Sequence, residues 1–250
     1  MILAVGWAYP AIMGLALLVA AALARVTQAR LPLDRAEKIG LGLGAFCGAM
    51  LGAKLPFVLS EWPSPAGLGV WFGDGKTIVM GLVGGYLGVE VAKWALDVRI
   101  KTGDGFAVPV AAAVGIGRVA CFSAGCCYGT PTALLWGVVF PVDDLPRHPT
   151  QLYEAAFHLA AALLLFALWR REALAGQLIK LYIVSYLAYR FVSEWIRPEP
   201  KMWLGLTGYQ WAALVLLPVF AALWIRDARQ ARRLAMDNPC RTIGDAQRAG

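Results

Sequence analysis

Charge is what this sequence has least of. Only 16% of its 250 residues are charged, where a soluble domain carries about 25%. So small a polar complement cannot cover a chain that is 59% hydrophobic, with a mean hydropathy of +0.61. That excludes a soluble globular reading and makes the bilayer the expected solvent. Histidine is scarce as well, two in the whole chain. The one cysteine-rich stretch, Cys121 to Cys127, is a C-x4-C-C run that matches no zinc spacing, so no metal site and no cofactor is expected. Nucleotide-binding loops of the Walker and Rossmann types are missing. No internal repeat supports an inverted-repeat transporter. Alternating segments of about ten residues are absent too, which excludes a membrane barrel.

What is present is long apolar runs. They predict an all-α integral membrane protein with seven transmembrane helices, near residues 5–24, 39–59, 77–96, 105–125, 151–169, 174–197 and 203–225, each long enough to cross about 30 Å of hydrocarbon. The first run has no basic segment before it and is expected to remain as a helix rather than be cleaved. The net charge of +7 reports sidedness, not nucleic-acid binding. Of the 23 basic residues, Lys76, Arg147, Arg197 and Lys201 fall on one side, Lys54, Arg118 and Arg190 fall within spans, and all the rest lie on the other side. The positive-inside rule then places the N-terminus outside and the C-terminus in the cytoplasm. Two units are expected: a transmembrane catalytic domain over 1–226 and a basic cytoplasmic tail over 227–250, attracted to anionic membrane lipid. Glycines four apart (Gly44, Gly48 and Gly52; Gly81 and Gly85; Gly84 and Gly88) suit close helix packing in lipid, as does the series Gly117, Cys121, Gly125 and Gly129.

The informative charges are those that sidedness leaves unexplained. A charge at bilayer depth costs about 2.5–3.5 kcal/mol on insertion scales, which singles out Arg118, Glu154, Arg190 and Glu194. Arg190 and Glu194 are one helical turn apart and either pair with each other or serve a site. Arg118 has no acid at i±3 or i±4 and requires a partner from another helix or from a ligand. Lys54 and Glu90 lie nearer span ends and are expected to snorkel. The run Arg147-His148-Pro149-Thr150-Gln151-Leu152-Tyr153-Glu154 concentrates polar groups where an outer loop enters the fifth helix, with Thr150 as its expected N-cap. His158, one turn deeper, reads as a buried hydrogen-bonded residue. Arginines from different helices at the outer face suit a phosphate-bearing anion, because guanidinium matches it in fork geometry and stays charged. In a membrane that anion is a phospholipid headgroup. A thiol among Cys121, Cys126 and Cys127 is either a packing residue or one activated by a neighbouring arginine.

Three segments together resemble the prolipoprotein diacylglyceryl transferase family: Gly117-Arg118-Val119-Ala120-Cys121-Phe122 on to Gly129, the run Arg147 to Glu154, and Tyr189-Arg190-Phe191-Val192-Ser193-Glu194-Trp195-Ile196-Arg197. The resemblance covers roughly 5–225. It implies transfer of the diacylglyceryl group of phosphatidylglycerol to the lipobox cysteine thiol of a preprolipoprotein signal peptide, with release of glycerol 1-phosphate, at the bacterial cytoplasmic (inner) membrane. It further implies catalytic roles for Arg118, Arg190, His148, Glu154 and Glu194, and substrate contacts from Arg147, Gln151, Tyr153, Cys121, Cys126, Arg197 and Asp104. Arg118 and Arg190 would hold the phosphate, and Asp104 matches a position where the family often has Asp. The chain departs from the family where Cys121, Ala124 and Cys126 replace asparagines and a glutamate, and where Val83 replaces a histidine before Gly-Gly. The base would then come from His148, Glu154 or Glu194. Two other readings use the same charges: a paralogue with a different acceptor, including a transient Cys126 adduct, and a non-catalytic phospholipid-binding or transport protein.

Overall fold

The computed structural model describes residues 7–60 and 77–237. Helices α1 (Ala8–Thr27), α2 (Arg35–Ser60), α3 (Ile78–Ala95) and α4 (Asp104–Ser123) lead to a loop holding a two-stranded antiparallel ribbon, β1 (Val138–Val139) and β2 (Pro146–Arg147). Helices α5 (Thr150–Arg170), α6 (Leu178–Ser193) and α7 (Gly208–Asp237) follow, with 3₁₀ turns at Glu194–Ile196 and Trp203–Gly205.

Six of these helices are long and apolar enough to cross a membrane: Ala8–Thr27, Arg35–Leu59, Ile78–Ala95, Asp104–Ser123, Thr150–Arg170 and Gly208–Gln230. Their outward faces carry large apolar side chains such as Leu18, Phe46 and Leu163, at 70%, 62% and 74% exposure. Lipid covers such surface where water would not, and the chain is a multi-pass membrane protein. The exception is α6. Its 16 residues rise about 24 Å, short of the hydrocarbon thickness, before the chain tightens into the 3₁₀ turn at Glu194. Its buried face carries Lys180 and Arg190 among apolar neighbours, which lowers its hydropathy while leaving it in the core.

Helix α2 packs on α3, α1 and α5 pack on α4, and α6 packs on α7. The glycine spacing explains the first pair. A Cβ on Gly44 would lie 2.6 Å from both the Gly88 carbonyl oxygen and Ala92 Cβ, and one on Gly48 would meet the Gly84 carbonyl. Backbones this close exclude any side chain at the crossing. The series along α4 works differently. Gly117 meets only Met13 Sδ at 3.6 Å, Gly125 turns the chain at φ +66°, and Gly129 seats the Ile196 carbonyl and His148. Alanines on α4, Ala107, Ala111 and Ala112, let Tyr182, Ile183, Tyr186 and Leu187 of α6 fill the core.

Two expectations change at the helix ends. Thr150 is the first residue of α5 rather than its cap, which is Pro149, and its hydroxyl instead donates to the Cys127 carbonyl at 2.8 Å. Lys54 is buried, 3% exposed, rather than snorkelled. Glu90 behaves as an end residue, pairing with Lys93 at 3.1 Å. Cys240 and most of the expected tail lie outside the described residues; α7 itself continues unbroken through 227 to Asp237.

Candidate functional site

The C-terminal ends of α4 and α6 and the N-terminal ends of α5 and α7 meet at one end of the bundle. Glu154, 1% exposed, stands at the centre, one turn into α5. Arg118 Nε lies 2.9 Å from its Oε2, an ion-pair distance without hydrogen-bond alignment. Arg197 Nη1 approaches the same oxygen at 3.5 Å and Arg190 Nη1 at 3.9 Å. Tyr186 donates to Oε1 at 2.5 Å. Arg190 also reaches back one turn, its Nη2 lying 2.9 Å from Glu194 Oε2, and its guanidinium sits 4.2 Å over the Tyr209 ring. Thr207 donates to Glu194 Oε1 at 3.0 Å.

The misfit charges of the sequence are thus gathered into one cluster, and Arg190 and Glu194 pair with each other within it. Arg118, Arg190 and Arg197 are 8%, 2% and 9% exposed. Three cations face two carboxylates, so the buried cluster by itself carries one positive charge in excess. A buried excess of that sign is costly unless an anion shares it. The arginines project from three different elements, so they surround an anion rather than line a surface.

His158 is fully buried with Nδ1 2.8 Å from the Tyr182 hydroxyl, the hydrogen-bonded core role expected of it. His148 lies at the rim, half-buried, with Nδ1 3.4 Å from the Tyr153 hydroxyl, which accepts from Trp136 Nε1 at 2.8 Å. Arg147 beside it donates from Nε to Asp143 Oδ1 at 3.1 Å and from Nη1 to the Gly129 carbonyl at 3.3 Å, with its guanidinium 5.1 Å from the Tyr128 ring. The hydrogen bond from Arg147 holds the Asp143 carboxyl below the usual carboxylate range. Arg147 thereby fastens the loop. Asp104 is not in the cluster at all. It lies at the opposite end of the bundle, where its carboxylate accepts from the backbone N–H of Gly176 and, at 2.9 Å, of Leu178, capping α6.

The cysteine run folds onto itself beside Arg118. The sulfurs of Cys121, Cys126 and Cys127 all lie within 4.8 Å of one another. Gln151, 0% exposed, donates to the Cys126 carbonyl at 2.5 Å and Thr150 to the Cys127 carbonyl. Gln151 therefore acts on the loop backbone. Arg118 Nη1 is 3.9 Å from Cys121 Sγ. Hydrogen bonds from the Cys121 and Cys126 sulfurs hold the Cys127 thiol far below its usual range while Cys126 is pushed up.

Sequence reasoning missed Tyr186, Tyr209 and Thr207. Tyr182, Tyr186, Arg190 and Glu194 stand at four-residue steps, one stripe of a helix, and that stripe was the available signal for Tyr186. The α7 residues gave none, because only the fold brings their end of the helix to Glu194.

The model of the prolipoprotein diacylglyceryl transferase family matches residues 2–226. Among curated proteins, the chain is similar to phosphatidylglycerol–prolipoprotein diacylglyceryl transferase 2 of Clostridium perfringens, 31% identical over 63% of this chain and 65% of the relative, just under two thirds of its length. It is also similar to the phosphatidylglycerol–prolipoprotein diacylglyceryl transferases of Cupriavidus pinatubonensis, 31% identical over 79% and 76% of the two chains, and of Azoarcus sp., 36% identical over 74% and 75%.

Proposed function

Since the chain belongs to the prolipoprotein diacylglyceryl transferase family, we propose that it moves the diacylglyceryl group of phosphatidylglycerol to the lipobox cysteine thiol of a preprolipoprotein. The observation that carries this reading is the convergence of Arg118, Arg190 and Arg197 on Glu154, with one positive charge in excess, inside a lipid-facing bundle. The thiolate attacks the glycerol carbon bonded to the phosphate oxygen, the carbon–sulfur bond forms, and the carbon–oxygen bond breaks. Glycerol 1-phosphate leaves with the electron pair. Arg118 and Arg190 hold the phosphate and stabilise the charge that grows on it, which fixed donors in a water-poor site do strongly. Glu154 and Glu194 serve by orienting those guanidinium groups, since their oxygens are already engaged by Arg118, Arg190, Tyr186 and Thr207. His148, the imidazole at the rim, takes the thiol proton. Tyr153 orients it, and Cys121 and Cys126 lie on the substrate side of Arg118.

In this reading α6 completes a seventh, short crossing, with the N-terminus outside. The site then opens to the outer leaflet of the bacterial inner membrane, where both the phospholipid and the signal peptide are within reach. Residues 1–226 form the catalytic domain and 227–250 the basic cytoplasmic tail, whose first turns extend α7. The test is a mass-resolved assay of purified protein with phosphatidylglycerol vesicles and a lipobox peptide. The peptide should gain one diacylglyceryl group. Turnover of the lipid without peptide gain would assign a different acceptor, and no turnover of any phospholipid would make the protein a lipid-binding one.

A further inference from the structure

Three thiols meet at one point, and the proposed transfer assigns their sulfurs no chemistry. Cys121 lies on the last turns of α4. Cys126 and Cys127 follow a turn whose two left-handed residues, Gly125 at φ +66° and Cys127 at φ +62°, fold the chain back on that helix. A left-handed conformation is unfavourable for a residue other than glycine and persists only where the surroundings impose it. Here they do: Gln151 and Thr150, both buried at the start of α5, hold the carbonyls of Cys126 and Cys127. The loop is thus fixed from a second helix in the shape that brings its sulfurs together.

We propose that Cys121, Cys126 and Cys127 form a three-sulfur binding site for a thiophilic divalent cation of the zinc type. The geometry fits. With metal–sulfur bonds of about 2.3 Å, tetrahedral coordination sets sulfurs about 3.8 Å apart, and three sulfurs within 4.8 Å of one another reach that arrangement by side-chain rotation on a fixed backbone. All three are free thiols. The charge fits too. Three thiolates around a divalent cation carry one net negative charge, and Arg118, with Nη1 3.9 Å from Cys121 Sγ, stands beside it. Oxygen ligands that would select a hard cation are absent from the cluster, and sulfur selects a soft or borderline one. Cys127 is exposed, which gives the ion a path of entry. Three protein sulfurs leave the fourth tetrahedral position for water or another ligand, the arrangement of a reactive rather than a purely structural site. The sequence did not suggest this because C-x4-C-C places no two cysteines at the usual two-residue separation. The left-handed turn supplies in three dimensions what the spacing lacks.

The test is titration of the reduced, metal-free protein, purified anaerobically in detergent, with cobalt(II). The expected result is intense sulfur-to-cobalt charge-transfer absorption saturating at one cobalt per chain and displaced by zinc(II). Cys121→Ser, Cys126→Ser and Cys127→Ser should each weaken cobalt binding by more than about tenfold, while a Cys47→Ser, Cys240→Ser double variant keeps it. Each serine variant is checked for its wild-type melting temperature, so that loss of metal is not loss of fold. Absence of the charge-transfer band in the reduced wild type, its survival in all three single variants, or its loss in the double variant would overturn the proposal.

Discussion

At the scale of single residues, Glu154 and Arg118 carry the account. Glu154 is the only carboxylate touched by three arginines among the described residues, and it is almost fully buried. Removing one member of a buried charge network leaves the others uncompensated, at a cost of about 3–5 kcal/mol. Glu154→Gln should therefore lower the melting temperature of the detergent-solubilised protein well beyond the effect of Glu90→Gln, which breaks an exposed pair on α3. Arg118 stands apart because it faces both Glu154 and the thiols. Loss of one fixed donor to developing charge typically costs about 10²–10³ in rate, so Arg118→Ala should remove at least that much transfer activity. Arg118→Lys should not restore it, because an ammonium cannot reproduce the fork. Asp143 and Arg147 behave differently. The carboxyl is held down by the Arg147 hydrogen bond, so its contribution is complete above its ordinary pKa near 4 and is lost only as pH falls through the lowered value. Asp143→Asn should consequently reduce activity by the same factor at every pH from about 5 to 8; a ratio that drifts across that range would contradict the pairing.

At the scale of elements, the helices meet through two contrasting devices. Helices α2 and α3 touch backbone to backbone. A methyl group at Gly48 meets the Gly84 carbonyl, whereas one at Gly42 meets nothing within 4 Å. Overpacking of this kind costs about 1–3 kcal/mol. Gly48→Ala should lower the melting temperature and Gly42→Ala should leave it unchanged, and equal effects would refute the close crossing. Helix α6 is held at its start by the Asp104 carboxylate from α4, a cap supplied across helices. Asp104→Ala should cost about 0.5–2 kcal/mol of stability while leaving the apparent affinity for phosphatidylglycerol intact, because the residue lies at the far end from the arginines. Much of this scale is legible in the sequence. The glycine steps give the α2–α3 contact, and the apolar runs give six of the crossings. Helix α6 is legible as an expected span near 174–197, but the partners that let Lys180, Tyr186 and Arg190 lie within it, Asp227 among them at 2.7 Å, become visible only in the fold. Asp104 entered the set of expected substrate contacts through the family resemblance alone, and only the fold shows that it stands at the end of the bundle away from the arginines.

At the scale of the whole molecule, the two ends of the bundle divide their work. One end carries the arginine cluster and the thiols. The other carries the Asp104 cap and the pairs Arg30 to Glu172 at 3.2 Å and Lys180 to Asp227, the latter joining α6 to α7. Of the three basic residues that charge counting leaves inside spans, Arg118 and Arg190 enter the cluster and Lys54 does not; Arg197, counted with the outer side, joins them. What counting misses is convergence: residues far apart in the chain, Cys126 and Gln151 or Glu194 and Thr207, meet only once the helices are placed. The proposed orientation has a direct check. In a background with all five native cysteines replaced by serine, a membrane-impermeant maleimide applied to intact spheroplasts should label Lys201→Cys and not Arg248→Cys, and the reverse pattern would invert the topology.

The central claim is that the buried arginine cluster binds the phosphate of phosphatidylglycerol and drives transfer of its diacylglyceryl group to a cysteine thiol. Mass spectrometry of a lipobox peptide after incubation with phosphatidylglycerol and purified protein tests it most directly. The account predicts a mass gain of one diacylglyceryl group with the wild type and none with Arg118→Ala. An unmodified peptide with the wild type, or equal modification by the two proteins, would contradict it.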